Sequence, residues 1–335
     1  LARPHSAMTD TDANTVRISP LLVRSLRSEY LILLLCLLYL VCLAPLTPGF
    51  TTQGNFANLL TTLLPLFVLA VGQTVVLIGG GIDLSVTSII GLCSITGAGL
   101  MTRDHGWLAG HPLAVPVGLA AMLLSGALVG GFNGLAITWF RMPPFIVTLT
   151  SMMFFSGLAI WLTQSKSIGT LPAGFNAIGS RLWMALPVAI LLGGGAHFLL
   201  SRTVGGRWLY AVGHNPQAAR VSGVPTQGVL AATYVLSGLC AAVASILYTG
   251  QAESGSPILG QKLLLDIIGA TVIGGTSLFG GKGKILWTLF GVLFIKLIDN
   301  SLNLLDLSYF TIMMVKGGVI LFAALMDALR RKVLA

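Results

Sequence analysis

Long apolar segments separated by short polar breaks run along most of the chain. Ten segments stand out, and several approach the roughly 20 residues that a helix needs to cross a bilayer. They are Tyr30–Leu46, Leu59–Gly79, Leu84–Met101, Leu113–Phe140, Phe145–Leu162, Leu182–Leu200, Val229–Tyr248, Leu263–Gly274, Ile285–Ile298 and Phe310–Ala328. The third, eighth and ninth are short, so the pattern predicts about ten transmembrane helices, with eight to ten compatible.

Composition agrees with an all-α polytopic membrane protein. Hydrophobic residues make up 55% of the 335 residues and charged residues only 9%, against roughly 25% charged residues in soluble domains. Transmembrane β-strands would alternate apolar and polar positions over about ten residues, whereas the run "LILLLCLLYLVCLAPL" does not alternate. The 41 glycines suit close helix packing in lipid.

The distribution of Lys and Arg predicts the orientation. With ten spans and a cytoplasmic N-terminus, the inside group is Arg3, Arg17, Arg24, Arg27, Arg141, Arg202, Arg207, Arg220, Lys282, Lys284, Arg330, Arg331 and Lys332. The outside group is only Arg103, Lys166, Arg181 and Lys262. The excess inside places both termini in the cytoplasm.

The domain organisation follows from this orientation. We expect a cytoplasmic N-terminal tail (1–29), a single transmembrane domain (30–329) and a cytoplasmic C-terminal tail (330–335). The first segment lacks a small-residue cleavage site and is interpreted as an uncleaved span.

Soluble chemistry is not indicated by the remaining composition. The net charge of +9 lies in loops and tails rather than along one face, so no nucleic-acid partner is predicted. The four cysteines fall inside apolar segments without a CxxC spacing, so we expect apolar fillers and no metal site. The stretch "GTSLFGGKGK" (Gly275–Lys284) resembles a phosphate loop, but Gly281 stands where that motif requires Lys. No cofactor and no ATP site are therefore predicted, and a transporter of this kind must use an ion gradient or a separate ATPase.

Asp83 is the only formally charged residue between Glu29 and Arg103. It follows three glycines that interrupt the second apolar segment, and we expect the third helix to begin at Leu84. There its carboxylate would cap the next helix, which reduces the roughly 2.5–3.5 kcal/mol cost of a mid-membrane carboxylate. The alternative, compatible with a cap, is a contact on a substrate path or with a partner subunit.

Other polar side chains inside the apolar segments are candidates for the same path. Lys296 and Asp299, one turn apart, are expected to pair, and Lys316 has either a functional role or a carboxylate partner on another helix. The hydroxyls that follow the prolines of "MPPFIVTLTSMMF" either bond backbone carbonyls or line a polar path, and Asn133 is a candidate for a bond between helices. The residues assigned to a substrate path or gate are Asp83, Ser85, Asn133, Phe145, Thr148 and Lys316.

The longest loop that this topology places in the cytoplasm is Ser201–Gln227. Within it, "NPQAARVSG" starts with an Asn cap followed by Pro and stops at Gly, which predicts a short helix. A polar helix there is either a solvated connector or a docking element. Separately, "VLIGGGIDLS" (Val76–Ser85) and "VIGGTSLFGG" (Val272–Gly281) form a weak internal echo at predicted cytoplasmic ends, and duplicated halves are common in transporters.

Several motifs, in order along about three-quarters of the chain, resemble the membrane subunits of ribose-type ATP-binding-cassette (ABC) importers. They are "GGIDLSV" (Gly80–Val86), "NGLAI" (Asn133–Ile137), "PPFIVTL" (Pro143–Leu149), "YAVGHNPQAARVSGV" (Tyr210–Val224), "YVLSGLCAAVASIL" (Tyr234–Leu247) and "LLDIIGATVIGGTSLFGGKG" (Leu264–Gly283).

The resemblance implies a permease of the bacterial inner membrane that translocates a monosaccharide, which in this family is a pentose, hexose or polyol. It implies three protein partners besides membrane lipid: a second permease subunit, an ATPase that binds ATP and Mg²⁺, and an extracytoplasmic sugar-binding protein. The residues matching the family's ATPase-docking segment are Gly213, Asn215, Ala218, Ala219 and Gly223. The alternatives are an ion-coupled sugar carrier, in which Asp83 or Lys316 would cycle a proton, and a branched-chain amino-acid ABC permease.

Overall fold

The computed structural model describes residues 31–334, and the side chains of residues 32–325. Thirteen helices lie in this part of the chain. They are α1 (Leu31–Leu43), α2 (Gln53–Ile78), α3 (Val86–Met101), α4 (Ala114–Thr138), α5 (Pro144–Thr163), α6 (Ala173–Ser180), α7 (Leu182–Arg202), α8 (Val204–His214), α9 (Pro216–Val221), α10 (Thr226–Ala252), α11 (Leu264–Ile273), α12 (Ile285–Leu304) and α13 (Tyr309–Leu334). The predicted tail 1–29 lies outside the described residues, as do the side chains of the tail 330–335.

The helices confirm a polytopic helical membrane protein. Six of them, α2, α4, α5, α7, α10 and α12, are long and apolar enough to cross a bilayer. Four shorter apolar stretches are helical too, Ile32–Leu43, Val86–Met101, Leu264–Ile273 and Tyr309–Leu325. Each predicted apolar segment therefore contains one apolar helix, while the number of spans and the side of each terminus stay predictions.

Two helix boundaries and one additional helix differ from the sequence prediction. Helix α3 begins at Val86 rather than Leu84. Helix α12 is not short, because it continues past Ile298 to Leu304 and carries the Lys296–Asp299 pair within one turn, 3.5 Å apart. The expected loop between α7 and α10 also contains a second helix, α8, which starts where the Thr203 hydroxyl accepts a hydrogen bond from the Gly206 N–H.

Helix α2 is the centre of the bundle. Every residue from Leu63 to Ile78 is buried, and α2 packs against α7, α10, α11 and α12. A helix that is apolar all round belongs in the interior of a bundle rather than against lipid. The helices around α2 keep apolar faces exposed, as a membrane surface requires.

Glycines let α4 and α10 approach backbone to backbone. Gly126, Gly130 and Gly134 are spaced four residues apart on one face of α4. A Cβ at Gly126 would lie 2.4 Å from the Gly238 carbonyl oxygen, and one at Gly130 would lie 2.3 Å from that of Tyr234. Small residues at this spacing are a usual device for helix association in membranes.

The internal echo in the sequence corresponds to matching turns. Helix α2 is followed by Gly79–Gly80 and α11 by Gly274–Gly275, and the second glycine has a φ of 81° in one turn and 82° in the other. Each second glycine N–H donates to the carbonyl three residues back, at 2.9 Å in the first turn and 2.8 Å in the second. A positive φ at the end of a helix is the conformation that glycine adopts at no steric cost.

Candidate functional site

Asp83 lies in the segment between α2 and α3 and is completely buried. One carboxylate oxygen accepts hydrogen bonds from the Ser85 N–H at 3.0 Å and the Ser85 hydroxyl at 2.6 Å. The other accepts from the Ser237 hydroxyl of α10 at 2.8 Å. Asp83 thus accepts hydrogen bonds from Ser85, the residue before α3, and not from the N–H groups of the first turn of the helix. The prediction that Asp83 caps α3 is therefore wrong.

Asn133 of α4 extends this arrangement to two more elements. Its amide nitrogen donates to the Ser85 hydroxyl at 2.8 Å, and its amide oxygen accepts from the Ser151 hydroxyl of α5. The predicted role of Asn133 as a bond between helices is therefore confirmed. We call Asp83, Ser85, Asn133, Ser151 and Ser237 the Asp83 network.

The Asp83 network joins α4, α5 and α10 to the segment before α3 without a cation. Within the described residues, no Lys, Arg or His pairs with Asp83. Hydrogen bonds from three donors stabilise the carboxylate instead, as a buried charge requires. Asp83 and Asn133 are both fully buried, so in this conformation the network holds helices together and has no open face for a substrate.

Thr148 and Tyr234 lie beside the network. The Thr148 hydroxyl donates to the Pro144 carbonyl at 2.9 Å and contacts the Ile82 carbonyl at 3.3 Å, so backbone bonding is confirmed for this side chain. The Tyr234 hydroxyl is buried with no hydrogen-bond partner among the described residues. It lies against Gly81, where an added Cβ would be 2.2 Å from the hydroxyl oxygen.

The other two predicted path residues lie elsewhere. Phe145 is 52% exposed on the outer face of α5. Lys316 of α13 pairs with Asp266 of α11 at 2.8 Å and with Asp299 of α12 at 2.9 Å, which confirms a carboxylate partner on another helix.

Sequence reasoning missed Ser237 as part of the network. It is one small hydroxyl within a long apolar helix, and its distance along the chain from Asp83 does not indicate that the two side chains meet. Ser151 is noticed only as one of the hydroxyls after the prolines, because the contact with Asn133 depends on how α4 and α5 pack.

The segment from 201 to 227 lies at the end of the bundle where α2 and α11 terminate. The predicted short helix is confirmed as α9: the Asn215 side chain accepts from the Gln217 and Ala218 N–H groups, both at 3.0 Å. The helix stops before Gly223, which has a φ of 82°. Asn215, Ala218 and Gly223 are exposed, while Ala219 is buried.

Gly213 fixes α8 directly against the bundle. A Cβ there would lie 1.8 Å from the Ile78 carbonyl oxygen and 2.6 Å from the Gly281 nitrogen. These two groups are themselves hydrogen bonded, Gly281 N–H to Ile78 carbonyl, at 2.8 Å. We call Ile78, Gly213 and Gly281 the glycine junction. Its residue Ile78 precedes Asp83 by five residues along the chain.

Tyr210 adds a second attachment of α8. Its hydroxyl donates to the Gly283 carbonyl at 2.6 Å. Burial raises the pKa of Tyr210, so the phenol keeps the proton that it donates.

Comparison with known proteins identifies the family. The family described as branched-chain amino acid transport system / permease component matches residues 55–324. The ribose import permease protein RbsC of Bacillus subtilis (strain 168) is 38% identical over 84% of this chain and 87% of its own. The protein of the same name from Escherichia coli (strain K12) is 35% identical over 90% and 94%.

A third relative, the L-arabinose transport system permease protein AraH of Escherichia coli (strain K12), is 33% identical over 90% of both chains. No solved structure matches the chain. The fold and these matches define a polytopic permease component of a transport system. The chain belongs to the branched-chain amino acid transport system / permease component family, and its expected resemblance to ribose-type importer permeases is confirmed.

Proposed function

We propose that this chain is the transmembrane permease subunit of an ABC importer in a bacterial inner membrane, and that it translocates a monosaccharide. The ribose and L-arabinose permeases among its relatives support a pentose or a similar neutral sugar. The observation that carries the proposal is α8–α9: an exposed helix pair, fixed to the bundle by the glycine junction, at a position suited to docking.

In the proposed complex, α9 docks on the ATPase. The segment 201–227 contains Arg202, Arg207 and Arg220 and no acidic residue, and Val221 at the end of α9 is 91% exposed. A short exposed helix of this kind suits a groove on a partner, and its positive charge suits an acidic rim. ATP and Mg²⁺ would bind on that partner.

The glycine junction supplies a route from the docking helices to the spans. Because Gly213 touches the Ile78 backbone without an intervening side chain, a displacement of α8 moves the end of α2. The next residues along the chain, 79–85, carry Asp83. Docking would thus reach the Asp83 network through contacts that have little freedom to absorb the motion.

The proposal includes ten spans with both termini in the cytoplasm, a second permease subunit and an extracytoplasmic binding protein. Ten spans account for all ten apolar helices, and the orientation places the basic 201–227 segment inside. The opposite end of the bundle would then face the binding protein.

Two alternatives make different predictions. A branched-chain amino-acid permease is suggested by the family description, whereas the relatives reported above are named for sugars. An ion-coupled carrier would cycle a proton on Asp83 or Lys316, but Asp83 is completely buried and Lys316 is held in ion pairs with Asp266 and Asp299.

The test is affinity purification of the chain from native membranes in mild detergent, followed by mass spectrometry. We expect a stoichiometric ATPase subunit, and the binding protein encoded or recovered with it should bind a monosaccharide. An intact, folded chain that recovers neither protein would contradict the proposal and favour the ion-coupled carrier.

A further inference from the structure

A crevice of about 670 Å³, lined by both polar and apolar side chains, opens at the end of the bundle opposite the glycine junction. It lies between the first turns of α2, α11 and α13 and the last turns of α12. Asn58 of α2 precedes Ile78 by a helix length of about 30 Å, which separates the crevice from the docking helices by the thickness of a bilayer. Residues that line it include Asn58, Gln261, Asp266, Asp299, Asn303 and Lys316.

Four of the five charged side chains that line this crevice pair with one another, and the fifth, Lys262, is exposed. Lys316 bridges Asp266 and Asp299 at 2.8 and 2.9 Å, and Lys296 pairs with Asp299 at 3.5 Å. An ionic ligand beside Lys316 would have to break these pairs, at the cost of leaving a partly buried charge uncompensated. The part of the crevice around the paired side chains is therefore suited to a neutral ligand.

Hydrogen-bonding capacity remains after the ion pairs have formed. Each carboxylate offers about four acceptor positions, so both aspartates retain lone pairs beyond those used by the lysines. In the described part of the chain, the side-chain amides of Asn58 and Gln261 make no hydrogen bond. Each amide has both a donor and an acceptor group to offer.

This combination matches a polyhydroxylated ligand, in which each hydroxyl both donates and accepts. Apolar side chains, among them Ile312, Met313 and Ile320, form part of the lining and suit the C–H faces of a sugar ring. A volume of about 670 Å³ lies within the usual range of small-molecule sites, roughly 300–1,000 Å³.

We propose that this crevice is an entry site that binds a neutral monosaccharide before translocation. The inference rests on the proposed function and adds to it the place where the sugar first contacts the permease. It assigns Asn58, Gln261, Asp266 and Lys316 to sugar binding. The buried Asp83 network, in contrast, holds helices together and does not bind the sugar.

The test is binding of radiolabelled D-ribose to the full-length chain in phospholipid nanodiscs, in the absence of the binding protein. L-Arabinose and D-xylose serve as competitors. We expect saturable binding that the competitors displace. The double variant Asn58→Leu/Gln261→Leu removes two amides that make no native side-chain bond, so it should fold normally and bind at least ten-fold more weakly.

Gln53→Leu is the matched control, because Gln53 is an exposed amide on the same helix outside the crevice. It should bind like the unmodified chain. A second variant, Asp266→Asn/Lys316→Gln, removes a positive and a negative charge together and should also lose binding.

ATPase recovery, measured on the same preparations, separates failure of this inference from failure of the proposed function. If the ATPase is recovered but the unmodified chain binds none of the three sugars, the entry site is wrong and the importer assignment stands. Equal sugar binding by the double variant and the control would also overturn it. So would a stoichiometric phospholipid that occupies the crevice and that none of the sugars displaces.

Discussion

At the scale of single residues, the hydrogen bonds of Asp83 matter more than its charge. Asp83→Asn keeps one oxygen for the Ser85 donors, and the Ser237 hydroxyl can rotate to accept from the new amide. Asp83→Leu instead leaves three donors of Ser85 and Ser237 buried without partners, each costing about 1–3 kcal/mol. We expect Asn to lower stability by less than about 1 kcal/mol and Leu by at least about 3 kcal/mol.

Thermal unfolding of the detergent-solubilised variants measures this difference. The two substitutions are controls for each other, since both remove the same charge from the same site. Equal loss of stability in both would mean that the charge itself, rather than its hydrogen bonds, stabilises the segment before α3.

A second prediction concerns Gly81 and the unpartnered hydroxyl of Tyr234. In Gly81→Ala, the new Cβ would meet that oxygen at 2.2 Å, and such overpacking costs about 1–3 kcal/mol. Tyr234→Phe removes a hydroxyl that has no partner and should change stability by less than about 0.5 kcal/mol. The double variant should recover at least half of the loss, because the nearest ring carbon would be 3.2 Å away.

A double-mutant cycle on the unfolding free energies checks this prediction. Additive effects of the two substitutions would contradict the close contact between Gly81 and the ring.

Four of the six path candidates lie close together, although the sequence singled each of them out alone and did not predict that they are neighbours. Asp83, Ser85, Asn133 and Thr148 are polar residues in apolar surroundings, and this is why they could be chosen. That they meet depends on the glycine face of α4, which brings α4 against α10, and hydrophobic pattern does not specify that register. Lys316 was equally conspicuous, yet α13 carries it to the opposite end of α2.

At the scale of elements, α8 touches the backbone of the bundle directly at Gly213, in addition to burying the Leu209 and Val212 side chains. Gly213→Ala would place a Cβ 1.8 Å from a backbone oxygen, and a backbone atom cannot move aside as the end of a side chain can. Helix α8 must therefore shift. We expect at least ten-fold slower transport and reduced recovery of the ATPase, while the chain still inserts in the membrane.

Gly205→Ala is the matched control on the same helix. The nearest atom to its added Cβ is the Thr203 hydroxyl oxygen at 3.7 Å, and alanine favours a helix over glycine by about 1 kcal/mol. Transport should be unchanged. Normal transport by Gly213→Ala, assayed in proteoliposomes with the complete complex, would remove the glycine junction from the docking proposal.

The sequence predicted α9 but not α8. Two adjacent glycines, Gly205 and Gly206, lower its intrinsic helix propensity. Gly206 is retained because a Cβ there would lie 2.3 Å from the Leu199 carbonyl oxygen, so tertiary packing overrides propensity. Helix α9, in contrast, has an Asn cap, a Pro in the first turn and a terminal Gly, all of which act locally.

At the scale of the whole molecule, the two ends of the bundle have different roles in the proposals. One end carries the docking helices and both glycine turns, and the other carries the Lys316 crevice. Long apolar runs located the ten apolar helices of the described residues, because burial in lipid demands such runs. The runs could not give the order of these helices in space, which is set by contacts between residues far apart in sequence.

Orientation is the last prediction, and the other proposals depend on it. In a Cys42→Ser background, we introduce Val221→Cys near the docking end or Trp107→Cys at the opposite end, since these side chains are 91% and 89% exposed. The three remaining native cysteines, Cys36, Cys93 and Cys240, are buried and should stay unlabelled. A membrane-impermeant maleimide should label Trp107→Cys in spheroplasts and Val221→Cys only after permeabilisation.

This outcome follows from the excess of Lys and Arg at the docking end. Labelling of Val221→Cys in sealed spheroplasts would place α9 outside the cell, where no cytoplasmic ATPase can reach it. The crevice would then face the cytoplasm and could bind a sugar only after transport. An importer driven by a separate ATPase would no longer fit this molecule, and the ion-coupled carrier would become the explanation to test.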